Sequence, residues 1–292
     1  LGPGGFRQIE VPQGFFGWAR VERTSGSAPW FAYAVVNDNF NSDGSFVLPV
    51  PAASVGNGAG LTLPVALESA VYRTEGILAN LSDQDRRVRL DLYADPLGAL
   101  PASLDVDLPA RGQVSIPNLV DSMRKAGVTI PSGVAGPVVV SSSTGATDGL
   151  FVGARTGNAG GGGRYTLSYA AVPFGSASET TAVVSGLQQT ATSRSNLALV
   201  NTGEVDGSAS TFRIEVFDGA TGAKAGEKTV TVAARRFFQE NGILQNLSPG
   251  TSQAWVRVTK TSGRNPFIAY GVINDGAQPG QRSGDGAFVL SE

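Results

Sequence analysis

One stretch of this chain occurs twice almost intact, and that repetition limits the possible folds more than any other feature. Trp18-Ala-Arg-Val-Glu-Arg-Thr-Ser-Gly-Ser-Ala-Pro-Trp-Phe-Ala-Tyr-Ala-Val-Val-Asn-Asp38 returns as Trp255-Val-Arg-Val-Thr-Lys-Thr-Ser-Gly-Arg-Asn-Pro-Phe-Ile-Ala-Tyr-Gly-Val-Ile-Asn-Asp275, with more than half the positions identical. Both copies run through a polar loop into Asp-Gly-(Ser/Ala)-Phe-Val-Leu, at Asp43 to Leu48 and Asp285 to Leu290. A more diverged copy lies between them. Gly136 to Gly145 stands where the Trp-x-Arg-Val strand stands, Leu150 to Arg155 matches Phe31 to Val36, and Tyr165 to Pro173 matches the closing strand that ends at Pro49. The period is therefore a whole domain rather than a solenoid turn.

The front halves of the second and third copies also correspond. Asn80 and the run Arg87 to Tyr93 match Asn201 and the run Thr211 to Phe217, and each run leads through a Gly turn into a further strand. Val88, Leu90 and Leu92 alternate with polar residues, as do Phe212, Ile214 and Val216. That period of two predicts half-buried strands in antiparallel sheets. Helix is expected at one place, Asn118 to Gly127, with a capping Asn and a terminating Gly.

The expected fold class is all-β: tandem immunoglobulin-like antiparallel β-sandwich domains, the first incomplete. Residues 1–50 read as the C-terminal half of one module, 51–67 as a Pro/Gly-rich linker, 68–173 as a complete module and 179–292 as another. Phe174 to Ser178 is a short connection that should hold its neighbours in a fixed relation.

The order Asn-x-Ser, alternating strand, Gly turn, Leu-Pro-Ala-x-Gly, short helix, Gly-x-Val-x-Val-x-Ser and Phe-x-Gly-Ala-Arg resembles immunoglobulin-like modules of large secreted bacterial proteins, such as those of Acidobacteria. The resemblance covers residues 68–173 well and 179–292 fairly. It implies a secreted or cell-surface location and carries no catalytic residue.

Composition narrows function by exclusion. The chain has neither His nor Cys, so Ser-His-Asp and Cys-His machinery and most zinc sites cannot be built. A net charge of −2 offers no footprint for nucleic acid, and no apolar stretch is long enough for a membrane span. The expectation is a non-enzymatic structural or cell-surface protein, a stalk, filament or matrix subunit. Its partners would be copies of itself or neighbouring domains, and the incomplete first module could be finished by strands from another chain.

Two features allow a ligand. Asp38, Asn39, Asn41 and Asp43 cluster oxygen donors on a Gly-containing loop and are the candidate calcium ligands, although a hairpin loop rich in turn-formers explains the same residues. Trp18, Trp30 and Tyr33, near Phe15, Phe16 and Phe31, could stack on a glycan, which makes a carbohydrate-binding or adhesive module the rival reading. Trp18 and Trp255 each fall on the polar face of their strand, where covering by a neighbouring domain is the simpler account. Asn80-Leu-Ser82 and Asn246-Leu-Ser248 fit the glycosylation pattern.

Overall fold

The computed structural model of the chain describes residues 1–12, 14–40, 43–50, 55–56, 58–160, 163–276 and 286–291. Its architecture is all-β, built from several antiparallel sheets whose packing is that of a β-sandwich.

The second unit contains β3 (Leu61–Glu68), β4 (Tyr72–Asn80), β5 (Arg86–Leu92), β6 (Ala102–Leu108), β7 (Gln113–Ile116), α1 (Leu119–Lys125), β8 (Val134–Ser142), β9 (Leu150–Gly160), β10 (Gly163–Ala170) and β11 (Val172–Pro173). One layer runs β3-β8-β5-β6; the other runs β10-β9-β4 with β7 on β4. A single pair, Glu68 opposite Arg73, joins the two. Val88, Leu90 and Leu92 are fully buried, as their alternation requires. Helix α1 forms where expected, the Asn118 side chain accepting the Asp121 amide at 3.1 Å, and it buries Leu119, Val120 and Met123.

The third unit repeats this order strand for strand. It comprises β12 (Thr181–Gln188), β13 (Ser193–Asn201), β14 (Ser210–Asp218), β15 (Lys224–Val232), β16 (Arg236–Glu240), α2 (Ile243–Leu247), β17 (Gln253–Ser262), β18 (Phe267–Asp275) and β19 (Gly286–Leu290). Its layers are β12-β17-β14-β15 and β16-β13-β18-β19. Between them Phe212, Ile214, Val256, Val258, Phe267 and Ala269 form a core. The short helix α2 was not foreseen, because its N-cap is a left-handed Gly242 with no side-chain cap.

In residues 1–50 the only ladder among the described residues is the hairpin β1 (Ala34–Asn37) with β2 (Gly44–Val47). The strand expected over Gly17–Arg23 has no ladder partner. Its counterpart β17 is held by β12 on one side and β14 on the other, and no equivalent of either is found among the described residues of 1–50.

Two boundaries need correction. The linker expected over residues 51–67 stops short, because Leu61–Glu68 is strand β3 with Leu61, Leu63, Val65 and Ala66 buried. This apolar run lacks alternation because both its faces are covered. Pro64 sits in a break of the β3–β8 register between Leu63 and Ala66, where no amide is required. Residues 51–54 and 57 lie outside the described residues. The match of Leu150 to Phe31 is also off by one. Leu150 faces Asn80 and Phe267 faces Asn201, so Leu150 corresponds to Phe267 and hence to Trp30.

The second and third units share a core. Ala198, Val200, Ile268 and Tyr270, on the outer face of the β13–β18 sheet, belong to the apolar cluster of the second unit. Tyr169 of β10 stacks on Phe288 at 5.0 Å, and Phe288 stacks on Tyr270 at 4.7 Å. Each fully buried large side chain there contributes about 1.5–3 kcal/mol.

Candidate interaction surfaces

The oxygen-rich loop serves the hairpin and its neighbour. The Asp38 amide donates to the Asp43 carbonyl at 2.8 Å, and the Asp38 carboxylate accepts the Phe40 amide at 2.8 Å, closing the turn. Asp43 Oδ2 accepts the Thr166 amide of β10 at 2.9 Å. Asn39 is exposed, and Asn41 lies outside the described residues. Among the described residues no three acidic groups converge as metal ligands.

The candidate aromatics divide into two roles. Trp18 is half-buried, and its Nε1 donates to the Arg111 carbonyl of the second unit at 3.2 Å, so a neighbouring unit covers it. Trp255 stacks on Phe217, its cross-strand neighbour, at 4.1 Å and 6°, with the Arg257 guanidinium 5.1 Å above Phe217. Trp30 and Tyr33 are 52% and 46% exposed, whereas their counterparts Phe267 and Tyr270 are 0% and 1% exposed. Tyr33 stacks on Phe46 at 4.8 Å, the same pair as Tyr270 and Phe288 in the third unit. Among the described residues, fifteen of the eighteen exposed large hydrophobics lie in residues 1–48, which marks this segment as the uncovered one.

The two contacts between successive units are equivalent. Register makes Ser45 the counterpart of Leu167, and Thr166 the counterpart of Gly286. Ser45 Oγ donates to the Thr166 carbonyl at 2.9 Å, while Leu167 packs so closely on Gly286 that a Cβ there would lie 3.0 Å from Leu167 Cδ2. Through Ser45 and the preceding Asp43, β2 and its leading turn thus engage main-chain groups of β10 without forming a ladder to it, covering the strand as edges need to be covered.

A second point of contact recurs as well. Arg111 and Arg235 occupy the same turn, ahead of β7 and β16, and are the only non-glycine residues with positive φ, at 54° and 57°, among the described residues. The following amide donates back in each case, Gly112 to Pro109 at 2.9 Å and Arg236 to Ala233 at 3.2 Å. Glycine is the usual occupant of such a position. Each arginine touches an aromatic of the unit before it: the Arg111 carbonyl meets Trp18, and the Arg235 guanidinium lies 5.4 Å over Tyr93 and donates to its hydroxyl at 3.3 Å. Arg236 adds an ion pair to Asp95 at 3.2 Å. Tyr93 sits across from Pro137, the counterpart of Trp18, its amide donating to the Pro137 carbonyl at 3.0 Å. The sequence reading missed these arginines, although superposing the repeats places Arg111 on Arg235.

The connection between the two complete units is tied down throughout. The Phe174 amide donates to the Gly60 carbonyl at 3.0 Å, Ser178 bridges to Phe267, and the Gly175 amide donates to Glu204 at 2.8 Å. Burial raises the Glu204 carboxyl above the usual range, a shift the Gly175 amide partly offsets.

Elsewhere, a polar cleft of about 490 Å³ is lined by Glu68, Ser69, Ala70, Arg73, Asn118 and Asp121. Glu68 is occupied by Arg124 at 2.5 Å and by the Asn118 amide at 3.0 Å, and the arginine holds its carboxyl below the usual range. Asn80, in the first glycosylation triplet, is fully buried, and its amide bonds to the Gln84 and Pro109 carbonyls at 2.7 and 3.1 Å. In the second triplet Asn246 donates to Glu240 at 2.7 Å. No helix among the described residues is long and apolar enough to cross a membrane.

Compared with known proteins, the chain matches no family model and no curated protein.

Proposed function

We propose that this chain is a non-enzymatic structural protein of the extracellular space or cell surface, in which immunoglobulin-like units stack in fixed register to form part of a stalk, filament or matrix. The observation that carries this reading is the recurrence of one junction: the first and second units, and the second and third, meet through corresponding strands and corresponding left-handed arginines. Independent binding modules on flexible linkers have no need of such repetition, whereas a structural stack does. Secretion rests on the resemblance to bacterial surface modules.

The first unit fits the same reading if strands equivalent to β12–β16 complete it. Val21 is 58% exposed where its counterpart Val258 is fully buried, and Trp30 is 52% exposed where Phe267 is fully buried. Such strands would cover that inner face, and if another chain supplies them they link molecules. Small-angle scattering tests the stacked arrangement: a single rigid particle with the junctions described supports it, and an ensemble of freely jointed units refutes it.

A carbohydrate-binding or adhesive role is the second reading, favoured by the exposure of Phe15, Phe16, Trp30 and Phe31. Glycan-array signal that disappears in Trp30→Ala supports it. The burial of Phe267 weighs on the other side, because it gives Trp30 a core position.

A further inference from the structure

Each complete unit carries a docking face at both ends, and the internal junction shows what fits there. One end is the outer face of the last two strands. In the third unit this face is the Tyr270–Phe288 pair, seated on Tyr169 of the unit before it. The other end is the last strand's neighbourhood together with the cross-strand pair Tyr93 and Pro137, onto which the next unit's Arg235 folds.

Among the described residues the first face recurs exposed and the second half-buried. The Tyr33–Phe46 pair reproduces Tyr270–Phe288 in residue type, cross-strand offset and separation, 4.8 Å against 4.7 Å, yet Tyr33 and Phe46 are 46% and 49% exposed. At the opposite end Phe217 and Trp255 occupy the positions of Tyr93 and Pro137, now aromatic at both, half-buried and stacked at 4.1 Å. Val289, half-buried at the edge of its own unit's core, stands where Tyr169 stands.

We infer that the Tyr33–Phe46 face of one copy of this chain docks on the Val289 and Phe217–Trp255 end of a second copy, continuing the internal junction from molecule to molecule. This rests on the reading of the chain as stacked structural units, and it uses the outer face of β1 and β2, not the inner face that strand completion would fill. The contact joins two different surfaces, so it builds a head-to-tail series, open or closed into a ring, rather than a two-fold dimer.

Sedimentation velocity over a concentration series of the intact chain tests the inference. The expected result is a continuous rise in sedimentation coefficient, weakened about tenfold or more by Tyr33→Ala and by Trp255→Ala separately. Tyr33 is exposed, so its loss leaves the fold in place, and circular dichroism verifies that for both variants. A monomer at every concentration overturns the inference, as does a closed dimer. Association abolished by Trp30→Ala but untouched by Tyr33→Ala also overturns it, in favour of strand completion. Scattering from the unmutated chain at low concentration separates the two ideas: rigid stacking in a chain that never associates sinks only the docking face, and freely jointed units sink the stacked reading beneath it.

Discussion

Two tyrosines that flank Phe288 in one ring stack should respond in opposite directions to the same one-atom deletion. The Tyr270 hydroxyl is buried with no hydrogen-bond partner among the described residues. The Tyr169 hydroxyl donates to the Val65 carbonyl at 3.0 Å and shares a hydrogen bond with Thr156 at the same oxygen. Val65 lies in the break of the β3–β8 register, so its carbonyl depends on that tyrosine. An unsatisfied buried polar group costs about 1–3 kcal/mol. Tyr270→Phe removes such a group and leaves only a small void, for a net stabilisation of about 1 kcal/mol. Tyr169→Phe creates one at Val65 and is destabilising by about 1–3 kcal/mol. For a cooperative block of this size the melting temperature should rise by about 2–4 °C in the first variant and fall by at least as much in the second. Urea titration followed by tryptophan fluorescence, with unchanged slope, measures both. If Tyr270→Phe lowers stability by 1 kcal/mol or more (about the worth of one hydrogen bond), the hydroxyl has a partner such as a buried water and the reasoning fails.

Four other outcomes follow from the same contacts. Burial raises the Tyr169 phenol to about 12 and the Tyr270 phenol well above its ordinary value. The folded-state values exceed the unfolded ones, so this stability is fully present below about pH 10 and is lost as pH rises through the folded value, a fall that Tyr169→Phe should reduce in alkaline denaturation. Gly136→Ala places a Cβ 1.9 Å from the Tyr93 carbonyl oxygen and should cost about 1–3 kcal/mol by urea denaturation. Asn201→Ala strips the Ser208 and Val232 carbonyls, at 3.2 and 2.9 Å, of a buried donor and should cost about 2–3 kcal/mol, with Asn80→Ala matching it. Millimolar calcium or a chelator should leave the melting temperature unchanged; a rise with calcium would support Asp38, Asn39, Asn41 and Asp43 as ligands.

Much of the fold was legible because it is local. Period-two alternation placed Val88, Leu90 and Leu92, and likewise Phe212, Ile214 and Val216, on buried faces, and the capping Asn118 located α1. Strand β3 escaped because a strand buried on both faces loses its alternation, and Pro64 reads as a breaker until the register gap that accommodates it is known. The junctions were hidden for a different reason. A left-handed conformation at Arg111 or Arg235 is imposed by the turn rather than written in the residue, since sequence alone would assign that position to Gly. The partner of Trp18, the Arg111 carbonyl, lies 93 residues away in sequence, beyond the reach of local patterning.

The sheet formed by β13 and β18 has apolar residues on both faces, one set in its own unit's core and the other in that of the unit before it. That arrangement limits how such a chain can evolve. A duplicated unit inserted at a new position brings a greasy outer face with it, and it remains soluble only if the unit ahead offers a matching surface. Unit order is then under selection as a whole, so exchange of single units between positions should be poorly tolerated even where each folds well.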